Sequence, residues 1–137
     1  MATAFRSASD AKRARGLGTA HAGVHHWWLQ RLTAAGNLLL GAWFVTSLVL
    51  LPDLARATVT AWLAAPVNAI PMLLFILSSV WHMRLGVQVM LEDYVAAPGS
   101  RRLSLLLLDL YAAAIAATAL FAVLKIAFTS SSGVPNG

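Results

Sequence analysis

With 137 residues, 59% of them hydrophobic and 11% charged, and a mean hydropathy of +0.73, the chain is too apolar for a soluble domain of its size. It has no cysteine, which excludes disulfides, thiolate metal sites and iron–sulfur ligation by the chain itself. Its net charge of +5 does not mark a nucleic-acid binder, because Arg6, Lys12, Arg13 and Arg15 all precede the first long apolar run, where positive charge marks membrane orientation.

Residues 1–28 read as a polar segment on the cytoplasmic side. The segment is rich in Arg and Ser, but the apolar run behind it is too long for the core of a signal peptide, so it is expected to be retained. Leu32 to Leu51 is uncharged and long enough to cross about 30 Å of hydrocarbon at 1.5 Å per residue, predicting a first helix over about 29–51. The connection PDLARATVTAWLAAP, bounded by Pro52 and Pro66, has room for a short interfacial helix. A second spanning helix follows over about 67–94. It is interrupted only by Asn68, Pro71 in its first turn, His82, Arg84 and Gln88. VAAPGSRR is a tight connection, and the third helix, over about 103–128, contains Asp109 with Lys125 near its far end. Residues 129–137 read as a short disordered tail. No internal repeat is present.

The expected fold is therefore an all-α integral membrane domain over 29–128, with three helices running up, down and up. Lys and Arg gather in the N-terminal segment and at Arg101 and Arg102, whereas the first connection holds only Arg56. The N-terminus is thus expected inside and the C-terminus outside. This topology brings HHWWLQR (25–31) and EDY (92–94) to one inner interface. Trp27, Trp28 and Tyr94 each suit an aromatic belt, and Arg31 alone could snorkel.

His82 is less easily explained. Twelve residues back from Tyr94 it lies about 18 Å along the helix, within the apolar layer. It reads as a neutral imidazole bonded to a neighbouring helix, as a proton relay, or as a metal or haem ligand. Gly86, one turn on, would leave a bare patch that a flat macrocycle could approach, though small residues also serve close helix packing. His21, His25 and His26 lie far from its depth, so a second axial ligand would have to come from another chain, either a different subunit or a second copy. Arg84 points about 200° away from His82 and requires its own partner. Counted from the inner surface, Arg84 and Asp109 fall at about the same depth, 12–15 Å, on neighbouring antiparallel helices, which predicts an ion pair between them.

HMRLGVQVMLEDYV resembles the His-x-x-x-Gly and Asp-Tyr-Val pattern, at the same His-to-Tyr spacing, of the D-type membrane anchor of succinate dehydrogenase, respiratory complex II. GLGTAHAGVHHWWLQRLTA is similar to the segment that leads into the first helix of bacterial members, and the likeness covers nearly the whole chain. The resemblance implies that His82 is one axial ligand of the iron of haem b, with a histidine of a C-type anchor opposite, and that flavin and iron–sulfur clusters belong only to partner subunits. It implies that Tyr94 bonds a ubiquinone carbonyl oxygen with Asp93 beside it, and that Arg31 and His25 face the haem propionates. The implied partners are the C-type anchor, packed against this chain, an iron–sulfur subunit and a flavoprotein subunit. The implied setting is a bacterial inner membrane, a mitochondrial one being the lesser alternative, and the implied activity belongs to the assembled complex. His26 stands where some members of the family carry an acid, and neither Arg84 nor Asp109 belongs to the shared pattern. Two rival readings are a haem-free structural or transport subunit with a His/Arg relay, and a homodimeric haem protein.

Overall fold

In the computed structural model, residues 20–131 are described, with side chains from 23 to 129, and they form four helices: α1 (Ala20–Val49), α2 (Arg56–Ala64), α3 (Pro66–Tyr94) and α4 (Pro98–Ser131). The N-terminal cations through Arg15, the His21 side chain and most of the C-terminal tail lie outside the described residues. No strand occurs among those described. Three of the helices, α1, α3 and α4, are long and apolar enough to cross a membrane.

Both outer helices are longer than their apolar runs predict. α1 begins at Ala20, because AHAGVHHWW holds no proline and nothing else that stops a helix. An apolar run measures the hydrocarbon crossed, not the helix that crosses it. α4 begins at Pro98, five residues before Leu103. Ala97 accepts its first backbone bond from Arg101 at 3.0 Å, which puts Pro98 at the first helical position, where a missing N–H costs nothing. Pro71 falls in the second turn of α3, since the helix already starts at Pro66.

The expected interfacial helix is α2. Asp53 accepts the Ala55 N–H at 3.0 Å just ahead of it, and this bond together with the Thr58 hydroxyl holds the carboxyl below the ordinary carboxylate range, the hydroxyl contributing more. At its other end Asn68 of α3 donates to the Trp62 carbonyl at 2.8 Å, satisfying an orphan acceptor of the last turn. Trp62 stacks on Trp43 of α1, with ring centroids 5.8 Å apart, while the backbone of α2 packs against α4 and α3, so the short helix ties the ends of all three spanning helices together.

α3 is the middle of a row. It packs against α1 on one side and α4 on the other, while the backbones of α1 and α4 stay apart. Few side chains among the described residues are buried as a result, and those that are lie on α3 and α4: Ala69, Leu85, Leu108, Ala112 and Val123. Glycine allows the α1–α3 approach. A Cβ at Gly36 would stand 3.3 Å from the Ser78 hydroxyl, and one at Gly41 would stand 3.7 Å from the Phe75 ring.

Candidate functional site

The α1–α3 seam is polar for several turns. Asn37 accepts from the Ser79 hydroxyl at 3.3 Å, the Thr33 carbonyl accepts from Ser78 at 3.3 Å, and the Thr33 hydroxyl meets His82 Nδ1 at 3.0 Å. One turn further on, Gln30 lies opposite Gly86, its Nε2 being 4.0 Å from where a glycine Cβ would stand. Steps of four and three residues back along α1, from Asn37 to Thr33 to Gln30, are matched by steps of three and four forward along α3, from Ser79 to His82 to Gly86, as antiparallel ridges require.

His82 is half-buried in this seam, engaged through Nδ1, and its Nε2 makes no hydrogen bond among the described residues. An imidazole held at one nitrogen and open at the other is what an axial metal ligand needs. Gly86 shares its helix face, but the space beside it is bordered by the Gln30 side chain, so the bare patch expected there has a flexible polar neighbour.

The antiparallel register places the start of α1 deeper than its sequence position suggested. With Gln30 opposite Gly86, Tyr94 is level with about residue 22, so HHWWLQR lies one to two turns inward of EDY. Arg31 is thus only about 3 Å along the axis from the level of Thr33 and His82. It is exposed, its guanidinium lies 4.2 Å from the centroid of the Trp27 ring, and it makes no ion pair among the described residues. His25 is exposed as well. His26 shares the α3-facing stripe with Gln30 and Thr33, and its Nε2 is buried without a hydrogen-bond partner among the described residues. Trp27 and Trp28 meet edge to face at 5.2 Å.

On the opposite side of α3, Arg84 Nε donates to Asp109 of α4 at 2.6 Å, which is the predicted pair. The pair continues as a ladder: Arg84 donates to Gln88 at 3.2 Å, and Gln88 donates to Glu92 at 2.8 Å. Three residues at i, i+4 and i+8 therefore carry polarity from the apolar layer to the end of α3. Arg84 also lies 5.6 Å from the Trp81 ring centroid, within cation–π range. An apolar cavity of about 460 Å³ opens beside the pair, where Ala112, Ala113 and Ala116 leave space opposite Leu77 and Trp81.

Asp93 and Tyr94 end α3, and both are exposed, the tyrosine to 84%. The turn beyond them is clasped from α4, where Arg101 donates to the Val95 carbonyl at 2.9 Å and covers the helix C-terminus. Neither residue contacts His82, so the structure presents two stations, an imidazole within the apolar layer and a phenol–carboxylate pair at the helix end. The structure adds Thr33, Gln88 and Glu92 to the residues expected from the sequence. The i, i+4 spacing could have revealed the last two, but nothing in the sequence alone brings Thr33 to His82.

Residues 6–125 match the family model described as succinate dehydrogenase/fumarate reductase transmembrane subunit. The chain is 33% identical over 100 residues to the succinate dehydrogenase hydrophobic membrane anchor subunit of Rickettsia bellii, covering 72% of this chain and 79% of that one. It is 28% identical to the subunit of the same name from Rickettsia conorii, with the same coverage. The anchor subunit of Paracoccus denitrificans is 26% identical over 121 residues, 88% of this chain and 93% of that one.

Proposed function

We propose, from the premise that this chain belongs to the succinate dehydrogenase/fumarate reductase transmembrane subunit family and is a membrane anchor subunit of succinate dehydrogenase, that His82 supplies one axial ligand to haem b and that Tyr94 and Asp93 form part of the ubiquinone-reduction site. A histidine of a C-type anchor would supply the second protein ligand. An iron–sulfur subunit and a flavoprotein subunit complete the complex on the cytoplasmic side of a bacterial inner membrane, the side that also holds the N-terminus. The chain has no cysteine for clusters and no dinucleotide fingerprint, so succinate oxidation resides in the partners.

The observation that carries the haem reading is the state of His82: half-buried, bonded through Nδ1 to Thr33, with Nε2 making no hydrogen bond among the described residues. The other residues suit the same group. Gly86 projects no side chain on that face. Arg31 lies near the level of His82 with its charge unpaired among the described residues and supported by Trp27, which suits a propionate in a medium where carboxylates are costly. His25 is the weaker second partner, about a turn and a half further out. Haem b, when bound, supplies a one-electron store near the quinone.

Toward the quinone, the chain contributes hydrogen bonds and proton access. The Tyr94 phenol donates to a carbonyl oxygen of ubiquinone, and the bond strengthens as negative charge develops there. The Asp93 carboxylate, exposed on the same helix end, orients the phenol and passes protons from the aqueous side as the quinol forms.

The test is an optical difference spectrum of the purified complex, dithionite-reduced against oxidised. A low-spin b-type band is expected, and His82→Ala should abolish it or change it to a high-spin form. A complex with no such band supports the haem-free subunit instead, and a band carried by this chain without other subunits supports the homodimer. Tyr94→Phe should lower ubiquinone reduction about 10–100-fold, no more than the cost of removing an oxyanion-hole donor, with haem content and subunit composition unchanged. Equal loss of all three would make Tyr94 a packing residue.

A further inference from the structure

We propose that Thr33 is the positioning residue of the haem ligand: from α1 it fixes His82 in the tautomer that leaves the Nε2 lone pair free, and it sets the rotation of the ring. The inference rests on the reading of His82 as an axial ligand and adds the group that prepares it.

The argument is an inventory of protons. A threonine hydroxyl has one proton and two lone pairs. Thr33 Oγ1 lies 2.8 Å from the Leu29 carbonyl, 3.1 Å from the Gln30 carbonyl and 3.0 Å from His82 Nδ1. The two carbonyls can only accept, so the arrangement that serves all three contacts sends the hydroxyl proton to the carbonyls and the Nδ1 proton to the hydroxyl. Nε2 then carries the lone pair. The opposite tautomer would turn the hydroxyl proton toward Nδ1 and forfeit the bond to the carbonyls, worth about 1 kcal/mol.

The acceptor is itself held. Its χ1 is set by the two carbonyls of the preceding turn. Its own carbonyl accepts from Ser78, one turn from His82 on α3, so backbone and side chain of Thr33 both tie α1 to the helix that bears the ligand. A second residue that orients a ligating histidine through its far N–H also raises the basicity of the ring, and its loss weakens metal affinity about 10–100-fold. A hydroxyl is a neutral acceptor, so the ring remains an imidazole with no drift toward imidazolate. Removing it makes the ring a poorer donor, destabilises ferric relative to ferrous iron and raises the midpoint potential.

The experiment uses the whole complex purified with Thr33→Val, Thr33→Ser and, as reference, His82→Ala. Thr33→Val should keep the partner subunits, lose haem to an apo-haem-protein acceptor about 10–100-fold more readily, and show a raised midpoint potential in an optical redox titration. Thr33→Ser restores the acceptor and should match the wild type. A Thr33→Val complex with unchanged retention and potential overturns the role of Thr33, as does a change in Val and Ser alike. If Thr33→Val does not assemble, Thr33→Ala gives the same reading without a new methyl. Loss of the partner subunits in both would make Thr33 a packing residue and overturn the proposal. A wild-type complex with no b-type band, or a band that survives His82→Ala, overturns the ligand reading itself. A band lost in His82→Ala but indifferent to Thr33→Val overturns only the part played by Thr33.

Discussion

The two sides of α3 solve the cost of polarity in an apolar layer differently. Toward α1, the groups are neutral: Asn37 with Ser79, Thr33 with Ser78, and Thr33 with His82, in contact across glycines. Toward α4, the groups are charged and close on one another, with Asp109, Arg84, Gln88 and Glu92 forming a ladder. Only the first seam leaves a strong ligand with an open valence. A neutral imidazole can wait for a partner at little cost, whereas the Arg84 guanidinium is met by a carboxylate within the chain.

Breaking the charged seam should cost most. Asp109→Leu leaves Arg84 without its counter-charge and should destabilise the detergent-solubilised complex by up to about 3 kcal/mol, comparable to the cost of inserting an arginine at the centre of a spanning helix. Arg84→Met with Asp109→Leu should recover most of it, because two apolar groups replace a pair at little net cost. A thermal melt of both variants checks this, and a double variant no better than the single one would show that the pair gives the helix contact more than neutrality.

Crowding the neutral seam ranks next. Gly36→Val puts branched carbon where even a Cβ would stand 3.3 Å from Ser78, and should cost about 1–3 kcal/mol with haem lost alongside. Gly86→Ala sharpens the contrast. Within the chain its new methyl meets only Gln30, at ordinary contact distance, so assembly and melting should be unchanged. A shifted haem spectrum in that variant would report a macrocycle lying against Gly86, and an unaltered one would place the ring elsewhere along the seam.

The smallest effect lies outside the membrane, at Asp53. Its carboxyl is held low by Thr58 and the Ala55 N–H, so its contribution is present above the unfolded value, about 3.9, and is lost as pH falls through the lower folded one. Asp53→Asn should therefore melt slightly below the wild type at neutral pH, and the difference should close under acid.

How far each seam was legible in the sequence follows from the same physics. The Arg84–Asp109 pair was readable because charge in an apolar run is rare and depth can be counted at 1.5 Å per residue. The interfacial α2 was signalled by two prolines around a short run. The seam with α1 was less so: threonine, serine and asparagine in a helix ordinarily bond their own backbone, as Thr60 and Thr118 do here, and sequence does not give the register between helices. That register also moved HHWWLQR inward of Tyr94, because α1 starts nine residues before its apolar run predicts. His26 belongs with these: neighbouring histidines look alike in sequence, and only the helix phase turns His26 toward α3 and His25 away.

Because the backbones of α1 and α4 stay apart, the imidazole belongs to a hairpin of α1 and α3, and the balancing acid to the helix on the far side of α3. A chain cut after Tyr94 would retain every atom that holds ring 82 in place, yet would leave the Arg84 guanidinium in oil with only the neutral Gln88 amide to accept from it. The final helix thus acts as a counterion for its neighbour, tethered by a short turn.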